Sequence, residues 1–274
     1  MTPVPPPAPS QPPSPYQAQA LDAVAAILAH ARRILFVTGA GISVDSGLPT
    51  YRGIGGLYHD RLTEEGLSIE EALSGEMMAT RPDIAWRYIA QIKESCRGAR
   101  PNAAHRLIAA LEGERERVCV LTQNVDGLHR AAGSRELIEI HGSVHRLCCM
   151  ACHQGREVTD YAGLRIPPEC PRCGGIMRPE VVLFGEALPE AALSRLEQVL
   201  EEGVDAVVSI GTTSVFPYIA GPVLWAARAG VPTVEINPGD TRVSAIVDHR
   251  LRMGAGEALP ALWQRMHPHD PAED

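Results

Sequence analysis

The sequence predicts an α/β fold: a parallel, helix-covered sheet that carries two insertions. Three observations predict it. Short apolar runs at residues 34–37, 118–121, 206–210 and 231–236 read as buried strands. Apolar residues recur at helical spacing over 103–112, 189–202 and 218–229, between or before those runs, and strands alternating with helices build a parallel sheet. Two stretches break the alternation: 54–102 has helical patterns without a strand signal, and 146–177 is rich in Cys, Gly and Pro with little helix.

Along the chain, residues 1–15 hold eight of the 23 prolines and only Met1 and Val4 as sizeable apolar side chains, so they read as a disordered tail. Leu21, Val24, Ala25, Ile27 and Leu28 then mark a helix over 17–31 ahead of the first strand. Residues 16–53, 103–145 and 178–266 make up the sheet domain, with 54–102 a helical insertion, 146–177 a cysteine module and 267–274 a second tail. A length of 274 residues suits one large domain with inserted modules. No apolar run approaches the ~20 residues that span a bilayer. A net charge of -8 argues against a nucleic-acid partner. The seven cysteines follow no disulfide plan and the N-terminus has no leader pattern, which points to a reducing, cytoplasmic home.

Four constellations carry chemistry. Gly39, Ala40, Gly41, Ile42 and Ser43 follow the first strand directly; two glycines there let a backbone approach a pyrophosphate, and equally suit a plain tight turn. Cys149, Cys152, Cys170 and Cys173 form two Cys-x-x-Cys knuckles, the spacing of a four-thiolate zinc site whose filled shell makes the metal structural. Cys148 is an alternative ligand to Cys149, which the symmetry of the knuckles favours, and His145 or His153 could substitute in a less regular site; Cys96 and Cys119 read as small core or surface residues. Gln123, Asn124, Val125 and Asp126 follow the second strand, at the sheet end where ligands bind in open α/β folds; amide and carboxylate suit sugar hydroxyls, or merely cap a helix. His141, between an apolar run and Gly142, has the chemistry of a general base, although an isolated histidine also serves structure. Gly211, Thr212 and Thr213, and Asn237, Pro238 and Gly239, sit at the ends of two later strands, where small polar loops can hold phosphate and ribose.

Taken in order, these motifs, with Ser46-Gly47-Leu48-Pro49 and Phe184-Gly185-Glu186, resemble the sirtuins over residues 17–262. The resemblance implies a Rossmann-like domain, a zinc-ribbon-like module and NAD-dependent removal of acyl groups from protein lysines. NAD would be consumed, giving nicotinamide, O-acyl-ADP-ribose and free lysine, with acyl-lysine proteins as partners. Gly39 to Ser43, Thr50, Tyr51, Arg52 and Tyr58 would hold the pyrophosphate and nicotinamide ribose. Gln123, Asn124, Val125 and Asp126 would orient the nicotinamide half, and Gly211, Thr212, Thr213, Asn237, Pro238, Gly239 and Ala255 would line the adenosine half. His141 would deprotonate a ribose hydroxyl, with Asn124 and Asp126 sharing the catalytic site. Val182, Phe184, Gly185 and Glu186 would pair with the substrate peptide as an added strand. The helical insertion would lie over the acyl and NAD site.

The chain departs from the family pattern in three places. Thr50-Tyr51 replaces the common Asp-Phe, and the loop after Gly211 is slightly shorter than usual. Members that take succinyl or malonyl groups carry Tyr-x-x-Arg over the acyl pocket, whereas Tyr88 is followed here by Gln91. Gln91 offers no bidentate partner for a carboxylate, so neutral acyl groups, acetyl first, are expected. Arg87 adjoins this motif, and a different helix register would bring it to the acyl group.

Overall fold

The computed structural model describes residues 14–50 and 62–268. In chain order the elements are α1 (Pro15–His30), β1 (Arg33–Thr38), α2 (Ile69–Ala72), α3 (Gly75–Thr80), α4 (Pro82–Ser95), α5 (Ala103–Leu111), β2 (Arg117–Thr122) and α6 (Leu128–Ala131). They continue as β3 (Leu137–Glu139), β4 (Gly142–Cys149), β5 (Gly155–Glu157), β6 (Met177–Val181), α7 (Glu190–Glu201) and β7 (Ala206–Ile210). Last come α8 (Pro217–Ala229), β8 (Thr233–Ile236), β9 (His249–Leu251) and α9 (Ala255–Met266).

Six strands pair in the order β3-β2-β1-β7-β8-β9, all parallel. Alternate residues of β1 bury on opposite faces, as a strand covered on both sides requires. Ile34 and Phe36 pack under Leu21, Val24 and Leu28 of α1, Ile108 of α5 and Leu259 of α9. Leu35 and Val37 pack under Val199 of α7 and Val223 of α8. The register sets Thr38 level with both Thr122 and Ile210, so the loops that follow three strands start at one height.

The first helix takes in Pro15: Ser14 accepts from the Gln17 amide, Gln17 returns a bond to the Ser14 amide, and proline fits the first turn, where its missing N–H costs nothing. Residues 1–13 lie outside the described residues.

The second lobe is built differently from its sequence reading. A three-stranded antiparallel sheet, β5-β4-β6, runs from Gly142 to Val181, so it starts ahead of residue 146 and ends beyond 177. Its strands are polar and cysteine-rich, which hid them from a search for apolar runs. The helical insertion and the cysteine module also share one core, in which Met78, Trp86 and Ile89 pack with Leu147, Tyr161 and Met177. The Trp86 indole donates to the Met177 carbonyl at 2.9 Å and meets the Tyr161 ring edge-on at 5.2 Å. One small lobe thus stands beside the parallel sheet.

Candidate active site

The loops after β1, β2, β7 and β8 meet above the carboxyl end of the sheet. The amide of Gly39 donates to the Ile210 carbonyl at 3.0 Å and that of Gly41 to the Gly211 carbonyl at 2.8 Å. A Cβ on Gly41 would sit 2.6 Å from the Gly211 Cα, so glycine is required where these two backbones cross. Residues 40–46 form a 3-10 turn that carries Ser43 inward. The Asn124 amide donates to the Gly39 carbonyl at 3.1 Å, and the Ser43 hydroxyl donates to Asp126 at 2.8 Å. The Gln123 amide donates to the Thr212 hydroxyl at 2.7 Å, and the Asn237 amide to the Thr212 carbonyl at 3.1 Å. Residues from four strand ends are therefore bonded into one rim.

His141 stands at the edge of this rim, after β3. Its Nδ1 lies 3.1 Å from the Gln123 carbonyl, which can only accept, so Nδ1 carries the hydrogen and Nε2 is the basic nitrogen. The Tyr218 hydroxyl lies 2.8 Å from Nε2 and therefore donates to it. Burial pushes the imidazole below the ordinary histidine range, against the opposing effect of the Gln123 bond. Gly142 follows at φ +78°, and a Cβ there would lie 1.9 Å from the Glu180 carbonyl oxygen; glycine is what lets the chain turn from His141 into β4. Burial raises the Asp126 carboxyl, while bonds from the Leu128 amide and Ser43 favour its charged form.

Under the same loop, Lys93 is buried with its ammonium 2.7 Å from His145 Nδ1, and His145 Nε2 lies 2.9 Å from the Asp126 carbonyl. A carbonyl and an ammonium dictate the tautomer: Lys93 donates to Nδ1 and Nε2–H donates to Asp126. This chain joins α4, β4 and the loop after β2. A small pocket between Ala40, Ser43, Leu48, Asn124 and Asp126 is closed by Ser95 and Cys96. The Cys96 thiol, pushed up to about 11 by burial and the Asp126 charge, stays neutral there.

In the small lobe the thiols of Cys149, Cys152, Cys170 and Cys173 lie within 4.8 Å of one another. The Cys149–Cys173 and Cys152–Cys170 sulfurs are 3.5 and 3.7 Å apart, close to the edge of about 3.8 Å of a tetrahedron with ~2.3 Å metal–sulfur bonds. The amides of Ala151 and Cys152 point at the Cys149 sulfur, each 3.4 Å away, and favour its thiolate. This donor set suits a structural zinc ion. Cys148 stands outside the cluster, facing the Cys149 carbonyl.

A model of the Sir2 family matches residues 39–217. The chain belongs to the Sir2 family. NAD-dependent protein deacylase 2 of Pseudomonas aeruginosa is 49% identical over 247 residues, 89% of this chain and 96% of that protein. The protein of the same name in Pseudomonas syringae is 51% identical over 241 residues, covering 87% of this chain and 97% of its own length. A solved Sir2 homolog–NAD complex superposes with a TM-score of 0.81 at 34% identity, over 90% of this chain and 94% of that one. A Sir2–p53 peptide–NAD+ complex does so with a TM-score of 0.76 at 28% identity, over 88% and 96%.

Within this Sir2-family chain the fold brings together most of the residues singled out in the sequence. Gly39 to Ser43, Gln123 to Asp126, Gly211, Thr212, Asn237 and His141 share the rim. Thr213, Pro238 and Gly239 are exposed on the same loops, and Ala255 opens α9, buried. Thr50 is half-buried; Tyr51, Arg52 and Tyr58 lie outside the described residues. Phe184 pairs with Ser74, its amide donating to the Leu73 carbonyl at 2.9 Å, and Val182 donates to the His141 carbonyl at 2.9 Å. Gly185 is exposed, and Glu186 is held by Arg178 and the Leu183 amide. Tyr88 is buried with its hydroxyl 2.6 Å from Glu65, and Gln91 is exposed. Lys93 and Tyr218 escaped the sequence reading, and His145, read there only as an alternative metal ligand, instead joins Lys93 to the Asp126 carbonyl. Cys96, read there as core or surface, lines the pocket; only the fold sets the end of α4 against Asp126.

Proposed function

We propose that this chain removes acyl groups, acetyl foremost, from protein lysines in the cytoplasm, using NAD. The observation that carries the reading is the pairing of a neutral base, His141 with Nε2 as its basic atom, with the rim formed by Ser43, Asn124 and Asp126. Bound NAD would supply the ribose carbon that takes the acyl oxygen, so that nicotinamide, O-acyl-ADP-ribose and free lysine leave. Ser43 holds the Asp126 carboxylate, and Asn124, locked to Gly39, keeps the two loops at a fixed separation. His141 takes a proton from a ribose hydroxyl at Nε2, while the Gln123 carbonyl steadies the hydrogen on Nδ1. Gly39 and Gly41 let the loop that would hold the pyrophosphate pack directly on Gly211, and the exposed Gly185 and the Phe184 side chain face outward where the peptide would lie.

Two features support a neutral acyl group. Arg87, the cation nearest the acyl motif, is taken by Glu64 and Glu65, and Tyr88 by Glu65. An acidic acyl chain would meet carboxylates rather than a free guanidinium. Free Cys96, Cys119 and Cys148 thiols fit a reducing compartment. Among the described residues no helix is long and apolar enough to cross a membrane.

The test is incubation with NAD and acetyl-, succinyl- and longer-acyl-lysine peptides, with all products read by mass spectrometry. Free lysine peptide with O-acyl-ADP-ribose, fastest from acetyl, supports the reading. Nicotinamide release with ADP-ribose left on protein would replace it with ADP-ribosyl transfer, and a succinyl preference would overturn the acyl assignment.

A further inference from the structure

Tyr218 belongs to no motif singled out in the sequence, yet its hydroxyl makes the one side-chain hydrogen bond to the basic nitrogen of His141 seen among the described residues. It enters from α8, on the far side of the cleft from the Gln123 carbonyl. Its ring stacks on Phe216 at 13° with centroids 5.4 Å apart, and both rings meet the imidazole edge-on, Tyr218 at 81° and Phe216 at 88°. A phenol wedged in this way has little rotamer freedom, so its O–H is aimed before any ligand arrives. Resting on the proposed deacylase reading, we propose that Tyr218 is a positioning residue for His141: its hydroxyl holds the Nε2 lone pair in the cleft until a ribose hydroxyl takes its place.

The chemistry follows from the two bonds. With Nδ1–H given to Gln123 and Nε2 receiving from Tyr218, the ring is held at both ends as one neutral tautomer. A donor on Nε2 favours the unprotonated nitrogen over the imidazolium, which has no lone pair to accept with. When the ribose O–H reaches Nε2 its proton moves to that nitrogen and the ribose oxygen keeps the electron pair; Tyr218 keeps its own proton throughout. Among the described residues the groups facing the ring are Tyr218 and Phe216 from α8 and its cap, and the Gln123 carbonyl from the loop after β2. Tyr218 is the titratable one, and burial raises its phenol, so it stays protonated when His141 titrates.

The test uses Tyr218→Phe in the full chain, which keeps the aromatic stack and deletes the hydroxyl. Without any ligand, the His141 ring resonances, assigned by their loss in His141→Ala, are followed against pH by NMR. The midpoint is expected to rise by about half a pH unit or more in Tyr218→Phe. The acid limb of kcat/KM on acetyl-lysine peptide should move up with it and kcat/KM fall roughly five- to tenfold at little change in kcat, with nicotinamide exchange into NAD within about twofold of wild type. An unchanged NMR midpoint overturns the proposal. So does an equal loss of exchange and deacylation together with a lowered Tm, which would make Tyr218 a wall of the fold. If the wild type turns over no acyl peptide, the deacylase reading fails, while the NMR midpoint still decides the role of Tyr218.

Discussion

His141 is the residue whose removal separates chemistry from fold. Its ring bonds the Gln123 carbonyl and Tyr218 but buries no apolar core, so His141→Ala should cut kcat/KM by about 100- to 10,000-fold while Tm shifts by only a few degrees. Stopped assays beside thermal melts check both halves, and a fully active variant would sink the mechanism. A buried pair of histidines works in the opposite sense. His105 and His129 are buried with centroids 4.8 Å apart, held down to about 4 and about 3 by burial, against 6.5 when exposed. Below pH 6.5 the unfolded chain takes up protons there that the folded chain refuses, so stability present above that pH is lost as pH falls toward 4. At about 1.4 kcal/mol per pH unit and residue, the pair should withdraw on the order of 5 kcal/mol by pH 4.5. Urea midpoints between pH 7 and 4.5 should show this slope, and His129→Gln should lessen it; the same slope in the variant would refute the assignment. His105 and His129 gave no sequence signal because their effect comes from burial, which no local pattern of residue types encodes.

Elements place the site through their ends. The runs at 34–37 and 206–210 were legible because a strand buried on both faces is continuously apolar, and a loop after such a strand in a parallel sheet has only one place to go. By contrast β9 is three residues, two of them polar, and β4 mixes buried and half-buried positions through polar residues and cysteines, so neither produces an apolar run. The chain from Lys93 to His145 to Asp126 was illegible for a different reason: its members lie on α4, β4 and the loop after β2, brought together only by packing of the two lobes. Lys93 carries a charge that burial disfavours, lowering its ammonium from the usual range, and its hydrogen-bond partner among the described residues is His145 rather than a carboxylate. Lys93→Met removes that buried charge but leaves His145 Nδ1 without a donor, two effects of opposite sign and each about 1–3 kcal/mol. Net stability should therefore change little, whereas the loop carrying Asn124 and Asp126 loses its support. The expected outcome is a several-fold rise in KM for NAD at nearly unchanged kcat and Tm, measured by initial rates and melts; an unaltered KM would show that the loop needs no such prop.

The described residues form one sheet domain and one lobe, and the lobe's stability governs the site. Its core has apolar side chains from α2 to α4 packed against the sheet and turns that carry the four cysteines, with Cys149 and Cys170 themselves among the buried residues. A metal held by the four converging thiols would add to that core, because a structural zinc ion contributes folding free energy directly. Chelation, or Cys170→Ala, should therefore melt more than the cysteine module. Loss of the lobe frees α4, and with it Lys93 below Asp126 and Cys96 in the pocket wall. It also releases Gly142 from its pairing with Val181, and so the chain that leads out of His141. The parallel sheet has its own two cores, on either face, and needs none of these residues. Hydrogen exchange after chelation should accordingly show lost protection over α4, β4 and β6 with β1, β2 and β7 still protected, and activity falling in step with the lobe. Uniform loss across both lobes would mean a single cooperative unit, and full protection after complete removal of metal would mean that the cysteines hold the lobe without it.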